Sequence, residues 1–326
     1  MSQAKRIAII GAGIAGAACA GALASAGLHI SLFDKSRGVG GRMSTRRGEG
    51  WQADHGAQYF RARDPLFQAE VARWEAVGAV AAWSGRVTTL GADQAPSPDN
   101  DLKRYVGTPG MTAPARFAAR EAHLLSSHTI TRITRGDKGW ELATSEHGTL
   151  TNRFDAVIVA TPAPQAVPLL SQLDEKFASV AAQAVMLPCW ALMLRYNQPI
   201  DLPFDGAFVR NSPIAWVARD SSKPGRSGPE TWVVHASAQW SQAHIESTPE
   251  EAMGALNSAF MALGAPAPDA ISAHRWRFAD VAPNQTHGFL WNESARLGVC
   301  GDWLNGGKVE GAWLSGHTLA KSMLET

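Results

Sequence analysis

The opening residues read as strand, turn, helix and strand. Residues 7–10 are a short apolar β-branched run, and an alanine-rich stretch of helical character begins at Ile14. Residues 28–33 form a second strand-like run that ends on Asp34. Between the first run and the helix stands Gly11-Ala12-Gly13-Ile14-Ala15-Gly16. This is the pattern of a dinucleotide-binding βαβ unit. Gly11 allows a tight turn, Gly13 lets the backbone approach a pyrophosphate, and Gly16 lets the helix pack on the strand. The helix then aims the free N–H groups of Ile14 and Ala15 at phosphate. Asp34, eighteen residues beyond Gly16, is placed to accept ribose hydroxyls and to repel a 2′-phosphate, which favours FAD or NAD at this site over NADP.

A secretory leader competes for the same residues, because Lys5, Arg6, an apolar stretch and Ala24-Ser25-Ala26 imitate one. Glycines at 11, 13, 16 and 21 interrupt the run, and a strand ending in an acid follows at once. The dinucleotide reading stands.

Later patterning predicts a hairpin (residues 129–133, then 140–143) and a returning buried strand (155–162). Strand-like runs follow at 189–196, 214–219, 231–236 and 271–278, with a helix from Pro249 to about Leu263. Residues 221–229, rich in serine, glycine and proline, read as a turn between strands. A last buried strand leads into Gly301-Asp302, and Gly306-Gly307 opens a helix running to about Met323.

Composition narrows the class. In 326 residues, 45% hydrophobic and 18% charged, there is material for one large core or two coupled ones. A net charge of +1 with no long basic run argues against nucleic acid. No apolar stretch approaches the roughly 18 residues of a membrane helix. Three scattered cysteines, Cys19, Cys189 and Cys300, suit reduced thiols in the cytoplasm. The histidines form no HExxH or HxH pattern and no CxxC occurs, so no metal site is expected.

The segment from Asp34 through Lys35, Arg37 and Gly40-Gly41-Arg42-Met43 resembles the second nucleotide-contact segment of FAD enzymes in the amine oxidase and glutathione reductase superfamily. Close backbone approach at the paired glycines, with Arg37 or Arg42 neutralising diphosphate, gives that likeness a mechanism. The hairpin and returning strand look like those of the same FAD domains, which makes Ile130, Ala160 and Thr161 expected contacts. The segment Gly301-Asp302 … Val309-Glu310-Gly311-Ala312 resembles the piece that holds the ribityl chain and aims a helix start at the flavin pyrimidine edge. The cofactor implied is FAD.

Asp54-His55-Gly56-Ala57-Gln58-Tyr59-Phe60, Tyr105-Val106-Gly107-Thr108-Pro109-Gly110-Met111 and His274-Arg275-Trp276 extend the match. Together with the short length, they make the chain similar to the bacterial renalase-like proteins, a branch of the FAD-dependent amine oxidase superfamily. The resemblance implies an α/β fold like that of p-hydroxybenzoate hydroxylase. A Rossmann-type FAD-binding domain (1–65, 105–165 and 285–326) would be joined to a discontinuous antiparallel-sheet substrate domain (66–104 and 166–284). It also implies oxidation of 2- and 6-dihydroNAD(P) by hydride transfer to flavin N5, then reoxidation by O2 to give NAD(P)+ and hydrogen peroxide, in a monomer.

Such a transfer needs position and a dry cavity more than an acid or base. His55, Gly56 and Ala57 are the expected flavin contacts, with Ala57 also beside the substrate. Gln58 is a partner for the carboxamide, Tyr59 or Phe60 for the ring, and Arg61 or Arg63 for the diphosphate. His235, Trp276 and Trp303 are placed near the cavity. Core packing competes for the aromatic residues, and a solvated helix start for the arginines. Oxidation of a true amine is the rival activity. It is disfavoured because Lys176 sits in a charged helical stretch and Lys223 in the proline-glycine turn, neither on a strand that reaches the flavin, and because only Tyr59, Tyr105 and Tyr196 are tyrosines. A desaturase and a non-enzymatic, redox-responsive FAD protein are further alternatives.

Overall fold

The structure is a computed structural model that describes residues 5–91, 103–283 and 286–325. The expected domain boundary at 285, and residues 92–102 of the segment 66–104, lie outside these.

Arg6–Ile10 is apolar on both faces because it is the inner strand of a parallel sheet covered on both sides. The sheet order is Leu290–Asn292, Leu297–Val299, Ala156–Val159, Arg6–Ile10, His29–Asp34, His123–Ser126, parallel throughout except at the first pair. Strand alternation divides its side chains. Ile7 and Ile9 pack with the helices Ile14–Ser25 and Lys308–Glu325, whereas Ala8 and Ile10 pack against the small sheet built on the hairpin Ile130–Gly136 and Gly139–Thr144. The two helices meet so closely that a Cβ on Gly316 would lie 1.9 Å from the Ala15 carbonyl oxygen.

A second six-stranded sheet runs in the order Ala270–Val281, Met186–Tyr196, Glu230–Ala236, Ile214–Arg219, Gly206–Val209, Val87–Leu90. It is antiparallel except at its last pair. One face, carrying Leu192, Leu194, Trp232 and Val234, is buried under the helix Pro249–Met261 through Leu256 and Phe260. That helix begins where its sequence says it should. Thr248 and Glu251 form a reciprocal capping box ahead of Pro249, an arrangement whose cap alone is worth about 1 kcal/mol. The opposite face, with Met193 and Val233, packs on Ala53 of the hairpin Thr45–Gly48 and Trp51–Asp54. That hairpin, unmarked in the sequence pattern, is wedged between the sheets.

The strands of the first sheet come from segments 1–65, 105–165 and 286–325, and those of the second from 66–104 and 166–283. One stretch departs from the expected partition. The helix Pro65–Ala76 and the strand Val80–Ala82 put Phe67, Val71, Trp74 and Val80 into the core of the first sheet, because their apolar faces meet Phe60, Tyr105 and Trp313. Among the described residues of this segment, Val87–Leu90 is the strand that pairs into the second sheet.

Candidate functional site

The glycine turn is shaped by what surrounds it. Gly11 has φ +108°, and a Cβ there would stand 2.6 Å from the Ala160 carbonyl oxygen. A Cβ on Gly16 would meet the Gly11 carbonyl oxygen at 2.0 Å. Gly13 is the opposite case: nothing lies within 4 Å of its Cβ position. It precedes a helix whose start has no side-chain cap, so the first N–H groups of that helix are open to an anion. Gly41 closes on the turn, its Cβ position 3.2 Å from the Gly13 Cα.

Asp34 stands beside this turn but does not line the cavity described below. One carboxylate oxygen accepts the Ala12 N–H and the other the Ser36 N–H, both at 2.7 Å. The acid braces the turn, and its remaining lone pairs are what a ribose would use. Other expected contacts also stand off the cavity, among them Gly11, Gly16, Gly41 and Gly311, which shape the turns beside it. Lys35 and Arg37 are exposed beyond the strand, and Ile130 is packed in the core beneath the hairpin.

Arg42 and Asp302, expected to contact the cofactor separately, are paired with each other by two hydrogen bonds of 2.7 and 2.6 Å. Glu310, in the first turn of the C-terminal helix, accepts the N–H groups of Arg63 and Asp64 at 2.6 and 2.7 Å. It thereby ties that helix to the start of Pro65–Ala76. Asp280 is paired with Lys308 at 2.6 Å. Every acid on the cavity wall therefore already has a partner among the described residues. Thr161 is different: its Oγ1 is buried beside the cavity with no hydrogen-bond partner. Gly311 is needed for packing, since a Cβ would lie 2.1 Å from the Asn305 carbonyl oxygen.

The second sheet presents one cross-strand row to the site: His274, Ala191, His235, Trp216 and Phe208, each directly opposite the next. Register shifts between Ile214 and Trp216, and between Leu187 and Cys189, break the alternation at the cavity. Such bulges re-aim side chains, and here Leu187, Pro188 and Ala215 join the lining. Tyr59 leans on Trp216 (ring centroids 5.5 Å apart), and Trp216 on Phe208 (4.6 Å). Arg61 and Arg104 each stand 5.7 Å from the Tyr59 ring centre. Phe60, the next residue, turns the other way into the cluster of Phe67, Trp74 and Tyr105; although it borders the cavity, its ring is core.

His55, an expected flavin contact, does not line the cavity. The imidazole is stacked on Trp276 (5.1 Å, 26°) and set edge-on to His274 (4.8 Å). What the site uses is its carbonyl oxygen, which receives Trp276 Nε1 at 3.0 Å and His235 Nε2 at 3.1 Å. Two strands of the second sheet thus pin the segment from Asp54 to Gln58. Gly56 in that segment has no room for a side chain, since its Cβ would fall 1.9 Å from the Arg42 carbonyl oxygen. Trp303 is also core, its Nε1 donating to the Thr161 carbonyl at 3.0 Å.

Burial holds all three histidines uncharged at neutral pH. The pKa of His55 is pushed down to about 3, chiefly by burial and then by His274 and Arg46. Burial takes His235 to about 4, and burial with Arg46 takes His274 to about 4. The unfolded chain binds these protons near pH 6.5 and the folded one resists them, so this stability is complete above pH 6.5 and lost as pH falls toward 4. Each deeply buried imidazole loses about 1.4 kcal/mol per pH unit in that window. His55 and His235 together are expected to cost about 4 kcal/mol between pH 6.5 and 5, with His274, nearer solvent, adding less. Urea unfolding at pH 7 and pH 5 measures this, and equal stabilities would contradict it.

The largest departure from the sequence reading is Lys223. The turn is exposed at Gly225, Ser227 and Gly228, but the lysine side chain points inward and is 0% exposed. The ammonium donates to Asp220 at 2.7 Å, to Gln58 Oε1 at 3.2 Å and to Asp54 at 3.4 Å. Arg226 completes the group, bonded to Asp54 and to the Gly107 carbonyl. Two acids and two bases are thus buried together as a neutral set. The two cations hold the Asp54 carboxyl below its usual range, against the burial that opposes them. Burial and the nearby Asp54 raise that of Asp220. Gln58 is committed as well, its amide donating to the carbonyls of Asp54 and Gly56. It braces the segment rather than offering a free amide to a carboxamide. Lys176, by contrast, is exposed as read.

One continuous cavity of about 630 Å³ joins these parts. It runs from Gly13, Ile14 and Ala15 past Arg42, Met43 and Thr161, along Gly56, Ala57 and Gln58, and beside Val309 and Ala312 to Tyr59, Trp216 and His235. Arg61, Arg63, Ala160 and Trp276 also border it. The open helix start, the space over Gly13 and the unpartnered Thr161 hydroxyl fit a dinucleotide with its ring end under the aromatic roof. Among the described residues, no cluster of histidine, cysteine and acid could hold a metal ion, and no helix is long and apolar enough to cross a membrane.

A dinucleotide-binding sheet facing an antiparallel roof across one cavity defines the class: a two-sheet flavin-dependent oxidoreductase. The family model for flavin containing amine oxidoreductase matches residues 93–324, and that for an NAD(P)-binding Rossmann-like domain matches residues 9–73. The chain belongs to the flavin-containing amine oxidoreductase family, and its cofactor is FAD.

A 51-residue stretch is 43% identical to 4,4'-diapophytoene desaturase (4,4'-diaponeurosporene-forming) of Staphylococcus aureus (strain Newman), covering 16% of this chain and 10% of the desaturase. Among solved structures, a candidate protoporphyrinogen oxidase from Exiguobacterium sp. 255-15 superposes with TM-score 0.75 at 14% identity, over 99% of this chain and 100% of that one. Cyclohexylamine oxidase from Brevibacterium oxydans IH-35A gives 0.73 at 13%, over 99% of both chains. Wild-type putrescine oxidase bound to putrescine gives 0.73 at 13%, over 99% and 100%. At these identities the solved structures show the fold.

Proposed function

We propose that this protein oxidises the 2- and 6-dihydro isomers of NAD(P), a renalase-like activity in which dihydroNAD(P), O2 and a proton give NAD(P)+ and hydrogen peroxide. The observation that carries the reading is the chemistry of the roof. Tyr59, Phe208, Trp216 and an uncharged His235 border the ring end of the cavity, whereas its acids, Asp280, Asp302 and Glu310, are all paired. A flat, uncharged dihydropyridine stacks on such a surface. A diammonium substrate would meet no free carboxylate there.

In this reading bound FAD would supply the two-electron acceptor for the substrate hydride and the route of those electrons to O2. The protein's own residues bind and orient. The N–H groups of Ile14 and Ala15 would hold diphosphate over Gly13, the spare lone pairs of Asp34 would take ribose hydroxyls, and Arg42, Asp302 and Thr161 would line the path toward the ring. The helix start at Val309–Ala312 would stabilise charge on the flavin ring, with Glu310 fixing the position of the helix. Ala57 and Tyr59 bound the reacting face, and Arg61 and Arg63 lie where a substrate diphosphate would pass. The protein acts as a cytoplasmic monomer.

Oxidation of a true amine is the second reading. It gains from Lys223, which reaches Gln58 at the cavity wall although no strand carries it. Aerobic turnover separates the two. With 6-dihydroNAD(P), peroxide and NAD(P)+ are expected in equal amounts, followed by oxygen uptake and absorbance. Peroxide from biogenic amines alone would replace the first reading with the second.

A further inference from the structure

We propose that His235 selects substrate by its amide: the imidazole is locked as the Nε2–H tautomer, and its Nδ1 lone pair accepts a hydrogen bond from a neutral N–H donor on the bound ring. The carboxamide form of a dihydropyridine dinucleotide is then preferred over its methyl-ketone and carboxylic acid analogues. This rests on the dihydronicotinamide reading and names the group that reads the ring substituent.

The tautomer follows from the partner. His235 Nε2 lies 3.1 Å from the His55 carbonyl oxygen, which only accepts, so Nε2 carries the hydrogen. The same oxygen also receives Trp276 Nε1, which occupies its second lone pair and fixes it in place. The ring is uncharged, because burial, with Lys223 nearby, keeps its pKa down at about 4. An uncharged imidazole with hydrogen on Nε2 has its lone pair on Nδ1. That nitrogen has no hydrogen bond among the described residues, while the residue borders the cavity.

The sheet explains why nothing in the protein answers it. Alternation sends Trp232, Val234 and Ala236 to the core under Pro249–Met261 and His235 to the other face. Its neighbours in the row are Ala191, which has no polar side-chain atom, and Trp216, whose indole N–H could donate but is buried without a hydrogen-bond partner and so does not reach it. Gln58, the residue first expected to read a carboxamide, is spent on Asp54, Gly56 and Lys223. A ring bearing an amide N–H finds an acceptor at His235. A methyl ketone offers no donor to it, and a carboxylate sets its own lone pairs against the imidazole's.

The test compares anaerobic flavin reduction by the 6-dihydro forms of NAD, of 3-acetylpyridine adenine dinucleotide and of nicotinic acid adenine dinucleotide. The amide is expected to exceed the ketone about tenfold in reduction rate over dissociation constant, the scale of one neutral hydrogen bond, and the acid by more. His235→Leu is expected to bring amide and ketone within about twofold, whereas His235→Gln, which keeps a donor and an acceptor, retains the preference. The ¹⁵N-histidine NMR spectrum of the wild-type protein reads the tautomer without any substrate, and a Nδ1–H tautomer or an imidazolium at pH 7 would overturn the proposal. So would equal use of amide and ketone, or a preference that survives His235→Leu. Reduction by none of the three removes this proposal together with the functional reading; reduction without discrimination removes this proposal alone.

Discussion

Replacing Gly13 by leucine is expected to give a folded but colourless protein. Nothing stands within 4 Å of the Cβ position and Gly13 borders the cavity, so the first atom of a side chain enters without displacing protein atoms. It occupies the space over the open helix start instead, where the cofactor diphosphate has to come within hydrogen-bond distance of backbone N–H groups. Loss of those charge-assisted bonds, together with direct exclusion, is expected to weaken FAD binding by more than about a hundredfold. Flavin content after purification and circular dichroism check the two halves separately. Full flavin occupancy would move the cofactor away from this turn.

Lys223→Met should be the most damaging single change to stability. The ammonium is fully buried between Asp54 and Asp220, and removing one partner of such a set leaves an uncompensated charge. The expected loss is about 3–5 kcal/mol, read as a lowered urea midpoint. Adding Asp220→Asn is expected to restore most of it, because Asp54 and Arg226 then remain as a neutral pair. A double variant no better than the single one would show that the lysine acts through packing rather than charge.

These two positions also mark how far the sequence can be read. Gly13 belongs to a local pattern: strand, turn and helix are contiguous, so spacing alone defines the geometry. The same holds for the capped helix at Pro249 and for the buried strands of the first sheet, whose unbroken apolar runs require cover on both faces. Lys223 was hidden by composition. Ser-Ser-Lys-Pro-Gly reads as a turn between strands, and the acid that pairs it from the wedged hairpin, Asp54, lies 169 positions away. A usable signal was present in the spacing Asp220-x-x-Lys223-x-x-Arg226, which sets opposite charges on one side of a tight turn.

The roof was legible only in part. The strands were evident, but the row His274–Ala191–His235–Trp216–Phe208 depends on register across five strands and on a bulge that alternation cannot show. Residues 56–60 border the cavity, yet the side chains of the segment from Asp54 to Phe60 divide in ways set by distant partners. His55 serves through its carbonyl, Gln58 as a brace, Tyr59 in the roof and Phe60 in the core. Arg42 and Asp302, read apart, meet each other.

Anaerobic stopped-flow reduction of the bound flavin tests whether the roof takes a flat, uncharged dihydropyridine, as proposed. Rapid bleaching by 2- or 6-dihydroNAD(P) is expected, with far slower bleaching by 4-dihydro NADH, whose hydride sits elsewhere on the ring in the same pose. Fast bleaching by a biogenic amine, with no response to the dihydronicotinamide isomers, would contradict the proposal.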